Sequence, residues 1–252
     1  MKWEGLVIVG GVLCLPLTGF AQERKFTSND GKTIEATLID TQPEQVQLKL
    51  PEGRKVWVPR SRFDEASIKY IEEWESSPSM RAKAVLGDRL PKLGISVVNG
   101  GSQKRDDKEA GYVDERKRNI HFRVSILNEE RGFKLENAKA TLFIHGESMN
   151  TGRNVVVHKK VWDNLTLDFQ QKRDLDAGAF ELWYDDRGAV YGFKYDGYFL
   201  IVQDMEGKVI ATKSIPSSAA KYAEQILKFG EGSAFDRSYR SSTTESLSQA
   251  KR

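Results

Sequence analysis

Apolar and polar positions alternate along most of the chain. Ile34, Ala36 and Leu38 fall on one side of a strand, with Thr33, Glu35 and Thr37 on the other. Val46, Leu48 and Leu50 alternate with Gln47 and Lys49, and Val56 and Val58 flank Trp57. A period of two with polar partners predicts strands with one buried face. Asn29-Asp30-Gly31 and Pro51-Glu52-Gly53 supply turn chemistry between them, and Pro59, which has no N–H to donate, ends the last strand. Asp64 then stands where a helix N-cap belongs, and Ile68, Ile71 and Trp74 recur at helical spacing. Residues 22–75 are therefore expected to form a small barrel of short strands closed by a helix.

Ser76-Ser77-Pro78-Ser79 interrupts that helix, and residues 76–91 read as a linker with a short amphipathic segment around Ala82, Val85 and Leu86. From 92 to 215 the alternation returns. Ile120, Phe122, Val124 and Ile126 interleave with His121, Arg123 and Ser125, and further runs cover 142–144, 155–161, 165–169, 180–184, 198–202 and 209–212. Asp163-Asn164 and Asp204-Met205-Glu206-Gly207 read as turns. Seven to nine short strands predict an antiparallel β-sandwich of Ig-like or jelly-roll type, with an aromatic core of Phe122, Phe169, Phe180, Trp183 and Tyr198. Pro216-Ser217-Ser218 opens a C-terminal helix over 216–229, with Tyr222, Ile226 and Phe229 on one stripe. The Ser/Thr-rich residues 230–252 read as a disordered tail.

The first 21 residues change the picture of compartment. Lys2, the apolar run Leu6–Leu17 and the small residues of Gly19-Phe20-Ala21 read as a secretory signal peptide cut before Gln22. The run is too short to span a bilayer in the ordinary way, so no stable membrane span is expected after cleavage, the alternative being a segment retained as an N-terminal anchor. The expected location is the periplasm, cell envelope or extracellular space. Cys14, the single cysteine, lies inside that segment. A mature chain without cysteine has no disulfide, thiolate nucleophile or cysteine-bound metal. With 39% hydrophobic and 30% charged residues the composition is that of an ordinary globular chain, and a net charge of +3 gives no reason to expect nucleic acid.

A family resemblance rests on ordered pieces of the first body. Arg24-Lys25-Phe26-Thr27-Ser28 leads through Asp30-Gly31-Lys32-Thr33-Ile34-Glu35-Ala36 to Val56-Trp57-Val58-Pro59, then Phe63-Asp64-Glu65 and Tyr70-Ile71-Glu72-Glu73-Trp74. This run resembles the SLA1 homology domain 1 (SHD1) family, with Phe63-Asp64 in place of the usual Leu-Ser. The resemblance covers about a fifth of the chain. It implies an SH3-like barrel and a module that binds short peptides; in the endocytic adaptor that names the family these are Asn-Pro-Phe-x-Asp segments. Similar domains occur in exported bacterial proteins, where that ligand does not follow.

The search for chemistry returns mostly negatives. His121, His145 and His158 have no ligand spacing and read as scattered surface residues. Gly146-Glu147-Ser148-Met149-Asn150 lacks the closing glycine of a nucleophile elbow, and Asp185-Asp186-Arg187-Gly188 lacks the ligand alternation of a calcium loop. Eleven of the sixteen residues from Gln103 to Arg118 are charged, which reads as a solvated loop. No catalytic residue, metal or cofactor is therefore assigned. Two binding candidates remain. Alternation turns Trp57 outward, where with Lys55, Arg60 and Arg62 it would receive an acidic–aromatic peptide; the alternative is that it packs on the closing helix. Tyr191, Tyr195 and Tyr198 would stack carbohydrate, the alternative being strand-face packing. The expected function is non-enzymatic: recognition of a protein or peptide by an exported scaffold. Carbohydrate or envelope-polymer binding is the second reading, and a carboxylate-based hydrolase the third.

Overall fold

The computed structural model describes residues 23–105, 116–185 and 190–247. The expected signal segment, the middle of the Gln103–Arg118 stretch, residues 186–189 and the last five residues lie outside them. The protein is mainly β and divides into two compact units, up to Glu72 and from Glu73 onward.

The first unit holds a four-stranded antiparallel sheet in sequence order: β1 (Arg24–Thr27), β2 (Thr33–Thr41), β3 (Gln45–Lys49) and β4 (Lys55–Pro59). The β1–β2 turn closes where Gly31, at φ +78°, donates its N–H to the Ser28 carbonyl at 2.8 Å. Only glycine adopts that backbone cheaply. The alternating residues Ala36, Leu38, Val46 and Leu48 are buried with Phe26, whose ring meets the edges of Phe63 and Tyr70 at 5.8 Å. Val56 and Val58 are only half-buried, because β4 is an edge strand. A 3-10 turn over Arg60–Arg62 leads to helix α1 (Glu65–Ser76), which begins where the Asp64 carboxylate accepts the Ser67 N–H at 2.8 Å.

In the second unit helix α2 (Pro78–Leu86) starts at Ser77 and stops at Gly87. Seven strands follow: β5 (Leu93–Arg105), β6 (Arg116–Asn128), β7 (Leu135–Ser148), β8 (Asn154–Leu167), β9 (Lys172–Asp185), β10 (Tyr191–Gln203) and β11 (Val209–Ile215). They are longer than the short strands expected. Asp163-Asn164 does not reverse the chain: Asn164 takes a positive φ of 57° within β8, opposite a register shift of β7, so the strand bends and continues.

The nine-stranded sheet of this unit runs β13-β12-β8-β7-β10-β9-β6-β5, with β11 beside β10; β12 (Ser233–Phe235) and β13 (Ser241–Thr244) come from the C-terminal segment. β10 touches β9 only through Tyr191 and Gly192, and pairs with β7 from Phe193 onward. A Cβ on Gly192 would sit 2.0 Å from the Trp183 carbonyl, so this crossing demands glycine. Both parts of the sheet line one core: Ile120, Phe122 and Val124 from β6, Leu142 and Ile144 from β7, Val155 and Val157 from β8, Leu200 and Val202 from β10. Of the expected aromatic core, Phe122 and Tyr198 are buried, Phe180 and Trp183 are half-buried, and Phe169 is exposed in the β8–β9 turn.

The C-terminal segment departs from expectation twice. In place of one helix over 216–229 there is a 3-10 turn (Ser217–Tyr222) and a single helical turn, α3 (Ala223–Ile226). In place of a loose tail, residues 230–247 carry β12 and β13, with Ala234 paired to Val155. The physical reason is a second core. Phe143, Val156, Phe199 and Ile201 point to the face of the sheet opposite the first core, and Ile226, Phe229, Phe235 and Tyr239 cover them. A few well-placed rings outweigh the polar average composition of the segment.

Asn128 is a fully buried polar residue that ties two connections together, β6–β7 and β8–β9. Its Nδ2 donates to the carbonyls of Phe133 (2.7 Å) and Leu167 (3.1 Å), and its Oδ1 accepts the Glu130 N–H at 3.0 Å. Asn128→Ala would orphan all three partners, and a loss of about 2 kcal/mol is expected from urea unfolding.

Candidate functional site

Trp57 occupies the middle of β4, an edge strand. The pleat sends Val56 and Val58 toward the interior and Trp57 to the opposite face, where it is 38% exposed. β3 supplies its neighbours: Gln47 stands directly opposite Trp57, and Lys49 directly opposite Lys55. Facing residues of an antiparallel pair share a face. Lys49 and Lys55 thus lie side by side next to the indole, and neither makes an ion pair with a described residue. Two like charges at a facing position repel, and an anion placed between them would relieve that cost.

The structure does not gather all four predicted residues. Trp57 and Lys55 share the face. Arg60 turns back, its backbone N–H bonded to the Glu44 carbonyl at 2.8 Å and its Nε donating to the Gln42 carbonyl at 3.0 Å. Arg62 is exposed, and its carbonyl accepts the Asn29 N–H at 2.9 Å, beside the β1–β2 turn. Lys49 and Gln47 were missed by sequence reading. The signal was present only as register, which depends on the length of the 50–54 turn.

The tyrosines form no open platform. Tyr198 is 4% exposed and meets the Phe122 ring edge-on at 5.6 Å. Tyr195 is half-buried between Phe122, at 6.1 Å, and the Arg118 guanidinium, 4.6 Å from its centroid. Burial pushes both phenols up from their ordinary pKa. Tyr191, also half-buried, pairs with Asp185 at the β9–β10 crossing.

The histidines are not uniformly on the surface. His121 lies 3.0 Å from Asp176, and His158 lies 3.2 Å from Glu231. His145 is 1% exposed and stacks on Phe199 at 4.5 Å, under the C-terminal segment. Among the described residues no three His, Cys, Asp or Glu side chains stand close enough to hold a metal.

A groove of about 450 Å³ runs in the second unit between α2, Arg89–Pro91, Phe133–Glu136 and the β10–β11 turn. Its floor is apolar (Phe133, Leu135, Ile210), and Leu90 and Met205 stand exposed at its rim. Two of its acids are committed elsewhere. Glu136 is bonded to Arg81, and Asp204 accepts the N–H groups of Glu206 and Lys208 at 3.0 and 2.9 Å. That arrangement shapes a turn rather than presenting two facing carboxyls.

No family model matches the chain, and no curated protein does. Two of the solved structures to which it is similar share 9% identity with it. One is the Northeast Structural Genomics Consortium target SoR45, at 9% identity over 48% of this chain and 84% of that one, with a TM-score of 0.25. The other is a protein from Akkermansia muciniphila, at 9% identity over 57% of this chain and 80% of that one, also with a TM-score of 0.25. At that TM-score neither carries an argument about fold or function.

Proposed function

We propose that this chain is an exported, non-enzymatic binding protein whose first unit is an SH3-like, SHD1-like module that receives a short acidic–aromatic peptide. The second unit, in this reading, is an Ig-like or jelly-roll-type sandwich that serves as the scaffold. One observation carries the proposal. Trp57 is exposed on an edge strand beside the facing pair Lys49 and Lys55. An indole offers a large, rigid apolar contact at low entropic cost, and two adjacent ammonium groups favour a ligand with carboxylates next to its aromatic anchor.

The test is titration of the chain from residue 22 with synthetic peptides in which phenylalanine is flanked by aspartate, beside lysine-flanked controls. Binding of the acidic peptides alone is expected, weakening with salt. Trp57→Ala should reduce affinity roughly thirtyfold, as loss of a hot-spot anchor does. It should cost no more than about 1 kcal/mol of stability, since the ring is not part of the core. Lys55→Glu should weaken binding while slightly raising the thermal midpoint, since it replaces the facing Lys49–Lys55 repulsion with an opposite-charge pair. Equal affinity for wild type and Trp57→Ala would remove the face from consideration.

A further inference from the structure

We infer that β5 is a self-association edge, at which a second copy of this chain pairs antiparallel about a two-fold axis at Asn99. β5 ends the nine-stranded sheet, and its backbone ladder runs along one side only, to β6; β11 approaches its other margin at Ile95 and leaves the stretch beyond Val97 without a ladder partner among the described residues. An exposed edge invites strand addition, and natural proteins guard such edges with charge, proline or short length. The other margins of the two sheets follow that rule. β1 and β13 have four residues each, β4 ends in Pro59, and β11 carries Lys213. The free margins of β8 and β9 carry Lys159, Lys160, Asp174 and Glu181. β5 is the exception: Leu93 to Gln103 contains neither a charge nor a proline, and Val98 is 59% exposed.

The hydrogen-bonding parity shows which groups face outward. Glu129 donates its N–H to the Lys92 carbonyl at 3.0 Å, one step before the pair Leu93 and Asn128. Asn128 sends its own N–H and carbonyl the other way, to Gln171 and from Gln170. Antiparallel pairs alternate between bonded and non-bonded positions. The even residues of β5 therefore face β6, and Ile95, Val97, Asn99 and Gly101 present their N–H and C=O groups to the free side. One of these groups is already taken, since Lys213 Nζ donates to the Ile95 carbonyl at 3.1 Å.

These facts select a second copy as the occupant, in one register. A two-fold axis at Asn99 sets Asn99 against Asn99 of the second copy and Val97 against Gly101 of the second copy. All of these positions have outward-facing backbone groups. The ladder ends where Lys213 closes it, at the pair beyond Val97. On the outer face Val98 lands on Gly100 of the second copy, and there is room for it. A Cβ at Gly100 would meet only the His121 carbonyl, at 3.8 Å. Exposed valine over bare glycine, on both sides of the axis, is a self-complementary fit. The ladder is short against a standard interface of roughly 800 Å² per partner, so the dimer is weak and concentration-dependent.

Sedimentation equilibrium of the chain from residue 22 tests this over about 5 to 500 μM, a range suited to small interfaces. Wild type should shift from monomer to dimer across that range. Asn99→Pro removes an N–H that the β6 ladder does not use, and Val98→Lys places a charge over Gly100 of the second copy. Both should remain monomeric; Val98→Lys should leave the circular dichroism unchanged, whereas Asn99→Pro also gives up the Asn99 side-chain hydrogen bond to Tyr195, so Val98→Lys is the variant that isolates the edge. Asn99→Cys gives the chain from residue 22 its one cysteine, and across the two-fold axis its Cα spacing of about 5.5 Å suits a disulfide. Oxidation should give a covalent dimer. A wild type that is monomeric throughout overturns the inference. So does a dimer that persists in both Asn99→Pro and Val98→Lys.

Discussion

Phe235→Ala is expected to destabilise the protein by about 3–5 kcal/mol, the cost of truncating a fully buried ring that leaves a cavity. Phe235 is 1% exposed and sits at the centre of the second core. Its ring stacks on Phe229 at 5.3 Å and on Tyr239 at 5.7 Å, and meets Phe199 and His145 edge-on at 5.8 and 5.5 Å. The segment that carries it pairs with β8 over only two residues, and the rings hold it in place together with a few further bonds, such as that from the Gly232 N–H to the Val156 carbonyl at 2.8 Å. Urea unfolding measures the loss. A change under 1 kcal/mol would show that the segment contributes little to the fold. A full effect would show that residues 230–247 belong to the second unit's cooperative structure.

Stability is also expected to fall by about 3 kcal/mol between pH 6.5 and 4 on account of one residue, His145. Burial pulls its pKa down from 6.5 to about 4, against the smaller opposing effects of the Ile215 carbonyl and Asp196. The Ile215 carbonyl, 3.2 Å from Nε2, can only accept, so the neutral ring keeps its proton on Nε2. Nδ1 lies 3.5 Å from an Asp196 oxygen, but that carboxylate is 50% exposed, and water screens what it could return to a buried cation. With the folded pKa below the unfolded one, the unfolded chain takes up a proton first as pH drops. The stabilisation is complete above pH 6.5, declines through the window and is gone below about pH 4. His145→Gln keeps a donor near the Ile215 carbonyl without titrating. The difference in unfolding free energy between wild type and this variant should shift by most of that amount between pH 7.5 and 4. An unchanged difference would show that His145 does not titrate in this way.

The outward orientation of Trp57 was legible in the sequence, because alternation between Val56 and Val58 is local and survives any tertiary arrangement. The cations around it were not. Arg60 and Arg62 are near in sequence, yet the chain turns after Pro59 and their bonds run to Gln42, Glu44 and Asn29. Lys49 belongs to no motif, and only strand register sets it directly across from Lys55. The burial of His145 was likewise hidden, since β7 alternates like a one-faced strand and is buried on both faces only because the C-terminal segment covers it.

By itself the sequence determined that the protein is mainly β and that a helix follows Asp64. These are consequences of periodicity, capping and turn chemistry, which act over a few residues. Tertiary structure alone decided that Asn164 bends a strand instead of ending it. It also decided that β10 is shared between two parts of one sheet, and that a polar-looking tail carries a second core. Each of these depends on which distant face needs covering. Hydrophobic burial is non-directional, and a local pattern does not record where its partner lies.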